Sequence, residues 1–213
     1  MRFLKTTALM TASMLPIAIT TPTEARPVSY PGGWTAMVMN NGDYNSAHIH
    51  YSPSAKYSIG YRFEHRRDND AELHLGQLNY LVKRRNTRQS QANIYLKTAI
   101  GVADDHGDQN AAGSIGLATD WETRRYFTSY ENRYLSAGPI ENGFTQSARV
   151  GIAPYVADYG SLHTWLMLEV SHEPKVEDKL EITPLVRFFK GPNLAEFGVS
   201  TDGDVTFNFI KRF

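Results

Sequence analysis

Two methionines and two histidines near the start of the chain are the residues best able to hold a soft metal ion. In WTAMVMNNGDYNSAHIHYS a turn centred on NNGDYN would pair strands 34–40 and 45–51, and strand alternation then puts Met37, Met39, His48 and His50 on one face. Thioether and imidazole together are copper ligands, Cu(I) favouring the sulfur. Directly opposed side chains on neighbouring strands lie about 5 Å apart, close enough to share an ion. The spacing matches no established metal motif, so Met and His that merely line a wet interior compete with a copper site. His74, His163 and Met167 would extend the site if their faces turned the same way, whereas His106 and His172 fall in segments expected to be external loops. A second chemistry sits in HIHYSPSA, where His50 and Ser52 alternate along one strand as a base beside a hydroxyl. There is no phosphate-binding glycine loop, zinc-protease helix or GxSxG nucleophile turn.

The totals exclude several function classes. Lys and Arg number 22 against 22 Asp and Glu, which offers no basic surplus for nucleic-acid phosphates. Tyr (12) outnumbers Phe (10), a balance suited to half-wet surfaces rather than a dry core. With no cysteine, the chain has neither disulfides nor a lipid-anchoring thiol. Arg2 and Lys5 precede the apolar run Ala8 to Ile19, and TPTEA ends on a small residue at Ala25. That run is too short to cross a bilayer core of about 30 Å as a helix, so residues 1–25 read as a secretory signal cleaved near Ala25, leaving 26–213 as one domain. No later stretch is apolar for 18 residues, so no transmembrane helix is expected.

The elements that must position these residues are strands. Period-two alternation recurs between turn-forming clusters, and no segment carries a helical stripe. The spacing predicts strands over 34–40, 45–51, 55–66, 71–84, 90–103, 110–121, 124–136, 144–157, 161–172, 179–190, 194–201 and 203–213. One face collects Tyr57, Ile59, Tyr61, Phe63, Ile94, Leu96, Ile115, Leu117, Tyr126, Tyr130, Tyr134, Val150, Ile152, Leu166, Leu168, Leu180 and Ile182. The other collects Arg62, Glu64, Lys97, Glu131, Arg133, Arg149, Glu169 and Arg187. A soluble periplasmic barrel or sandwich would turn the apolar face in, and an outer-membrane barrel would turn it out. Pro154 and Pro184 fall inside segments read as strands and are expected at bulges or strand ends near a rim.

Loop lengths and the last strand separate these alternatives. Counted back from Phe213, one rim receives TDGD, HEPKVED, AGPIENG, DDHGDQ, RRDND and NNGDY; the other receives KGPN, ADYG, WETR, SPSA and one longer exception, RRNTRQ. Shorter periplasmic turns facing longer external loops are the habit of outer-membrane barrels. The closing stretch DVTFNFIKRF places Phe207, Phe209 and Phe213 on one face, with Lys211 as the break. It resembles the C-terminal strand of bacterial outer-membrane β-barrel proteins. That resemblance implies an all-β antiparallel transmembrane barrel, and a terminal strand recognised by the barrel-insertion machinery through those phenylalanines. The count is about 12 strands, or 10 if 34–40 and 45–51 form a plug.

On this reading the eight charged residues named above line the interior, and outer-membrane lipid surrounds the chain. Their mixed signs predict no strong ion preference. The interior is either a small channel or an ion-paired filling. The main expectation is a porin-like channel or structural barrel, without enzymatic activity, cofactor or nucleic-acid partner. A copper-linked barrel using Met37, Met39, His48 and His50 is the first alternative. The second is a lipid-modifying enzyme, because His50 and Ser52 resemble the His-x-Ser arrangement of lipid A deacylases; inward-turned residues, however, would be out of reach of lipid.

Overall fold

The computed structural model describes residues 26–213 apart from positions 159, 175 and 176, and the side chains of 177–179 are likewise outside the description, as is the expected signal segment. The described chain is built of strands: β1 (Trp34–Asn40), β2 (Tyr44–Ser54), β3 (Tyr57–Arg66), β4 (Glu72–Asn86), β5 (Ser90–Asp105) and β6 (Asp108–Thr123), followed by β7 (Tyr126–Ser136), β8 (Asn142–Ile152), β9 (His163–Glu173), β10 (Glu177–Lys190), β11 (Asn193–Val199) and β12 (Val205–Arg212). Each pairs antiparallel with its sequence neighbours, and β1 pairs with β12 to close a 12-strand barrel. The seam is completed beyond the strand ends, where Trp34 N donates to Phe213 O at 2.7 Å and Phe213 N returns to Trp34 O at 3.1 Å. A closed ring leaves no raw edge. Strands 34–40 and 44–54 belong to it, which removes the ten-strand alternative.

Alternation along each strand turns the apolar residues outward. Ile59, Leu78, Ile115, Leu117, Val150, Leu166 and Leu180 are all exposed, while their neighbours Ser58, Asn79, Arg62 and Glu64 are buried inside. A water-soluble barrel would reverse this, because apolar side chains are most stable out of water. The reading with the greasy face inside is therefore overturned. Inside, short apolar clusters sit only near the ends, such as Leu73, Leu75, Ala103, Ala112 and Leu135 across β4 to β7.

Several expectations need correction. The segment read as a strand to 157 ends at Ile152, so Pro154 lies in the connection 153–162, the longest on the rim of Trp34 and Phe213. The tetrapeptide ADYG understated that connection, while the hairpin of RRNTRQ turns over 87–89. Pro184 sits inside β10 opposite Leu168 with no bulge; the irregularity in that ladder lies between Glu177 and Leu180. The carbonyl of Ile182 accepts from Thr201 N on the β11 side, so by alternation Pro184 also faces β11, opposite Val199, and its missing N–H removes one bond at the end of that strand. His172 is not in a loop: it lies in β9, paired with Gln146, and its ring Nδ1 accepts from Gln146 Nε2 at 3.1 Å. His106 does occupy a turn, where His106 and Gly107 both have positive φ (54° and 100°) between paired Asp105 and Asp108. This is the two-residue hairpin geometry that matches strand twist.

Candidate functional site

The charged residues of β3 and β7 meet in the middle of the barrel rather than along its wall. Glu64 of β3 is fully buried and is bound by Arg62, by Arg66 at 3.4 Å and, from the far side, by Arg133 of β7, whose Nη1 lies 3.1 and 2.9 Å from its two carboxylate oxygens. Three strands separate β3 from β7 around the ring, so the Arg133–Glu64 pair is a bar across the lumen. The guanidiniums of Arg62 and Arg66 stack over the Tyr44 ring at 5.5 and 5.8 Å. Three cations on one carboxylate leave a positive surplus. Glu141 and Glu173 offset it at the rim away from Trp34 and Phe213, 2.7 and 3.5 Å from Arg66. Glu141 stands in the connection 137–141; burial pushes its carboxyl up to about 7 against the opposing pull of Arg66, with Glu64 and Asp68 adding to the rise.

The second group of charges follows the wall. Arg149 of β8 pairs with Glu169 of β9 and reaches Glu196 of β11 at 3.2 Å; Arg187 of β10 meets Glu196 at 2.5 Å; Asn208 of β12 donates to Glu196 at 2.8 Å. Three of these contacts join residues directly opposite in register, Arg149↔Glu169, Arg187↔Glu196 and Glu196↔Asn208. The belt therefore spans five adjacent strands, and apart from Arg149–Glu196 its contacts run between neighbours. Between bar and belt, Lys97 of β5 binds Glu131 of β7, and 45% of the Glu131 side chain remains open to solvent although it points inward. Ala99, Ser114, Ser129 and Ser147, small inward neighbours on β5 to β8, are only partly buried. The lumen is thus wet along this wall, whereas Thr35, Ser52, Ser58 and Asn79 on β1 to β4 are packed away.

Residues just ahead of β1 occupy one end of the bore. Arg26 is buried and bridges to Glu122 and, at 3.9 Å, to Asp120, both on β6. Val28 packs against Leu81 and Tyr95. Ser58 Oγ donates to the carbonyl of Pro27 at 2.6 Å, and Ser29 N donates to Ser52 Oγ at 2.9 Å. No periodicity marks such a segment, so the sequence alone does not reveal that 26–29 turn into the barrel.

The Met/His hairpin has the register read from its sequence, Met37↔His48 and Thr35↔His50, with Met37, His48 and His50 buried in the lumen and Met39 partly so. Each ring already has a protein partner: His48 Nε2 lies 2.9 Å from Ser46 Oγ, and His50 Nε2 lies 2.9 Å from Gln77 Oε1. Gly60 stands opposite His50, and a Cβ there would come within 2.4 Å of the imidazole, so the missing side chain makes room for the ring. Arg62 is directly across from His48. No cluster of three or more His, Cys, Asp or Glu able to hold a metal occurs among the described residues. His74 faces outward against Tyr61 and Phe63, and His163 and Met167 lie on β9, five strands round the ring from β2, so none of them joins the hairpin. Ser52 and His50 both point into the lumen, away from the apolar exterior.

No family model matches the chain, and no curated protein sequence matches it. Solved structures do match in fold. A KdgM porin in complex with disordered oligogalacturonate is similar with a TM-score of 0.51 at 8% identity, over 85% of this chain and 98% of that one. The translocator domain of autotransporter NalP from Neisseria meningitidis gives 0.45 at 8% identity, over 85% and 87%. OccK8 (OprE) of Pseudomonas aeruginosa gives 0.43 at 7% identity, over 80% and 57%. At these identities the likeness is one of architecture.

Proposed function

We propose that this chain is a bacterial outer-membrane β-barrel that works as a small porin-like channel, with the Arg133–Glu64 bar as its constriction. The observation that carries the reading is a closed ring whose exterior is apolar and whose interior is charged and partly wet at Glu131. Only lipid favours that exterior, and a barrel with every strand paired is one of the two backbone solutions for crossing it. In this orientation the rim of Trp34 and Phe213 is periplasmic. The outward phenylalanines Phe207, Phe209 and Phe213 of the closing strand would serve the barrel-insertion machinery, and residues 1–25 would be a signal removed near Ala25. Arg62, Glu64, Lys97, Glu131, Arg133, Arg149, Glu169 and Arg187 then line or bar the solute path, and the balance of signs favours small solutes without strong charge selection.

Membrane fractionation with a heat-dependent gel shift tests location and closed-barrel folding together. Planar-bilayer recording tests the channel. Arg133→Ala removes the bar while leaving Glu64 with Arg62 and Arg66, so single-channel conductance should rise in an otherwise intact barrel. A folded, inserted barrel that stays silent in both forms would mean a structural filling instead.

A further inference from the structure

Most cations inside the barrel have carboxylate partners, but the exposed ones near the Trp34 and Phe213 rim do not. Lys56, Lys83, Arg85, Arg88, Arg125, Lys190 and Lys211 are all exposed, and none has an ion pair among the described residues. Two devices aim some of them at the surroundings. In β4 the register shifts between Leu81 and Lys83, a bulge at Val82. Leu81 pairs with inward Tyr95 and Lys83 with outward Ile94, so the extra residue moves Lys83 and Arg85 onto the apolar side and turns Arg84 in to Asn93 at 2.7 Å. On the other side of the seam, Lys190 of β10, Asn193 of β11 and Lys211 of β12 stand in one outward row, joined by the pairs Lys190↔Asn193 and Asn193↔Lys211. Strands are about 4.8 Å apart, so the two lysines flank the amide across about 10 Å, enough to admit one phosphate. Lys211 lies between outward Phe209 and Phe213, and beside Phe213 comes the Trp34–Tyr51 contact, ring centroids 5.0 Å apart. Aromatic rings of this kind settle at headgroup depth, where a lysine lays its methylenes on the apolar surface and lifts its ammonium to the phosphates.

We propose that Lys190, Asn193 and Lys211 bind one phosphodiester headgroup of an anionic phospholipid in the periplasmic leaflet, and that Lys83 and Arg85, four strands round the ring from Lys211, bind a second. The proposal rests on the outer-membrane reading. The occupant is a lipid rather than an acidic protein because these side chains are set on the apolar, strand-paired wall at the level of the aromatic rings, and not on a projecting loop. The break that Lys211 makes in the phenylalanine row is then the site itself.

The test uses the mature barrel in nanodiscs of phosphatidylcholine with a minor share of phosphatidylglycerol, reading by native mass spectrometry which lipid stays bound. Wild type should retain phosphatidylglycerol preferentially and lose the preference in high salt. Lys190→Gln/Lys211→Gln should lower it, and adding Lys83→Gln/Arg85→Gln should lower it further, by up to about fivefold for each cation neutralised at low salt. The heat-dependent gel shift confirms that each variant is folded. An unchanged preference in the folded quadruple variant overturns the proposal, as does inorganic phosphate displacing the lipid at equal concentration. Failure of every form to insert would instead refute the membrane barrel, a result separable from insertion without lipid preference.

Discussion

The bar at Glu64 and the belt at Glu196 use the same chemistry and differ in direction. Arg133 reaches Glu64 past three intervening strands, so their contact obstructs the bore and depends on the barrel holding its diameter. The Arg149–Glu169 and Arg187–Glu196 pairs join strand neighbours that register already brings together, and Arg149 links the two by reaching Glu196 past β9 and β10, so these contacts reinforce the wall. The bar leaves one carboxylate to neutralise three guanidiniums, whereas the belt alternates sign and balances itself. In the channel proposed above a radial pair would set what passes, whereas a tangential chain sets how firmly the ring stands. Buried ion pairs add little net stability when intact but are costly to break from one side.

The largest effect should come from Glu64→Gln, which strands Arg62 and Arg133 and deprives Arg66 of one partner. A loss of about 3–5 kcal/mol is expected in urea unfolding from lipid vesicles. Glu196→Gln should cost roughly half as much, because Arg149 keeps Glu169, and it should leave conductance near wild type. Equal losses, or a conductance change confined to the belt variant, would break the distinction between the two clusters.

A weaker effect is expected on acidification. Glu141 titrates at about 7 in the folded barrel and at the ordinary carboxylate value of 4.5 when unfolded, so the fold binds the proton more tightly. Holding that group ionised costs the fold above the higher value, and the cost fades as pH falls from about 7 towards 4.5. The carboxyl of Asp43, in the connection 41–43, is also raised by burial, against the pull of Arg66, and works in the same sense. The thermal midpoint of the gel shift should therefore rise as pH is lowered across this window, and Glu141→Gln should flatten the profile. A midpoint that falls across the same window would mean the far-rim carboxylates are held charged. Smallest of all, copper titration should give indistinguishable curves for wild type and Met37→Leu/His48→Ala, because Ser46 and Gln77 engage Nε2 of each ring and the Arg62 cation faces His48. A saturable site lost in the variant would restore the metal reading.

What the sequence disclosed followed from alternation. Glu64, Arg133 and Arg187 share a face with other polar residues because a strand repeats every two residues, and this holds whatever lies outside. Alternation carries no angular position around a ring, so it could not tell that Arg133 meets Glu64 across the bore while Arg149 meets a neighbour. It also cannot register a single inserted residue: the run LVKRR reads smoothly, and only the paired strand shows that Val82 is the extra one. Pro184 misled because the ladder gives up a single donor there, opposite Val199 at the last residue of β11, and keeps its register instead of bulging. Arg26 to Ser29 gave no sign of entering the bore, since their anchors, Ser52, Ser58, Asp120 and Glu122, lie on distant strands.

The seam between Trp34 and Phe213 carries a consequence for how the ring is made. Within the ring the first strand in chain order is hydrogen-bonded to the last, so a partial ribbon cannot satisfy either of its own margins. Until the final residues arrive, both flanks offer unclaimed amides to any passing strand, and a companion that shields the nascent chain must cover two borders that afterwards cover each other.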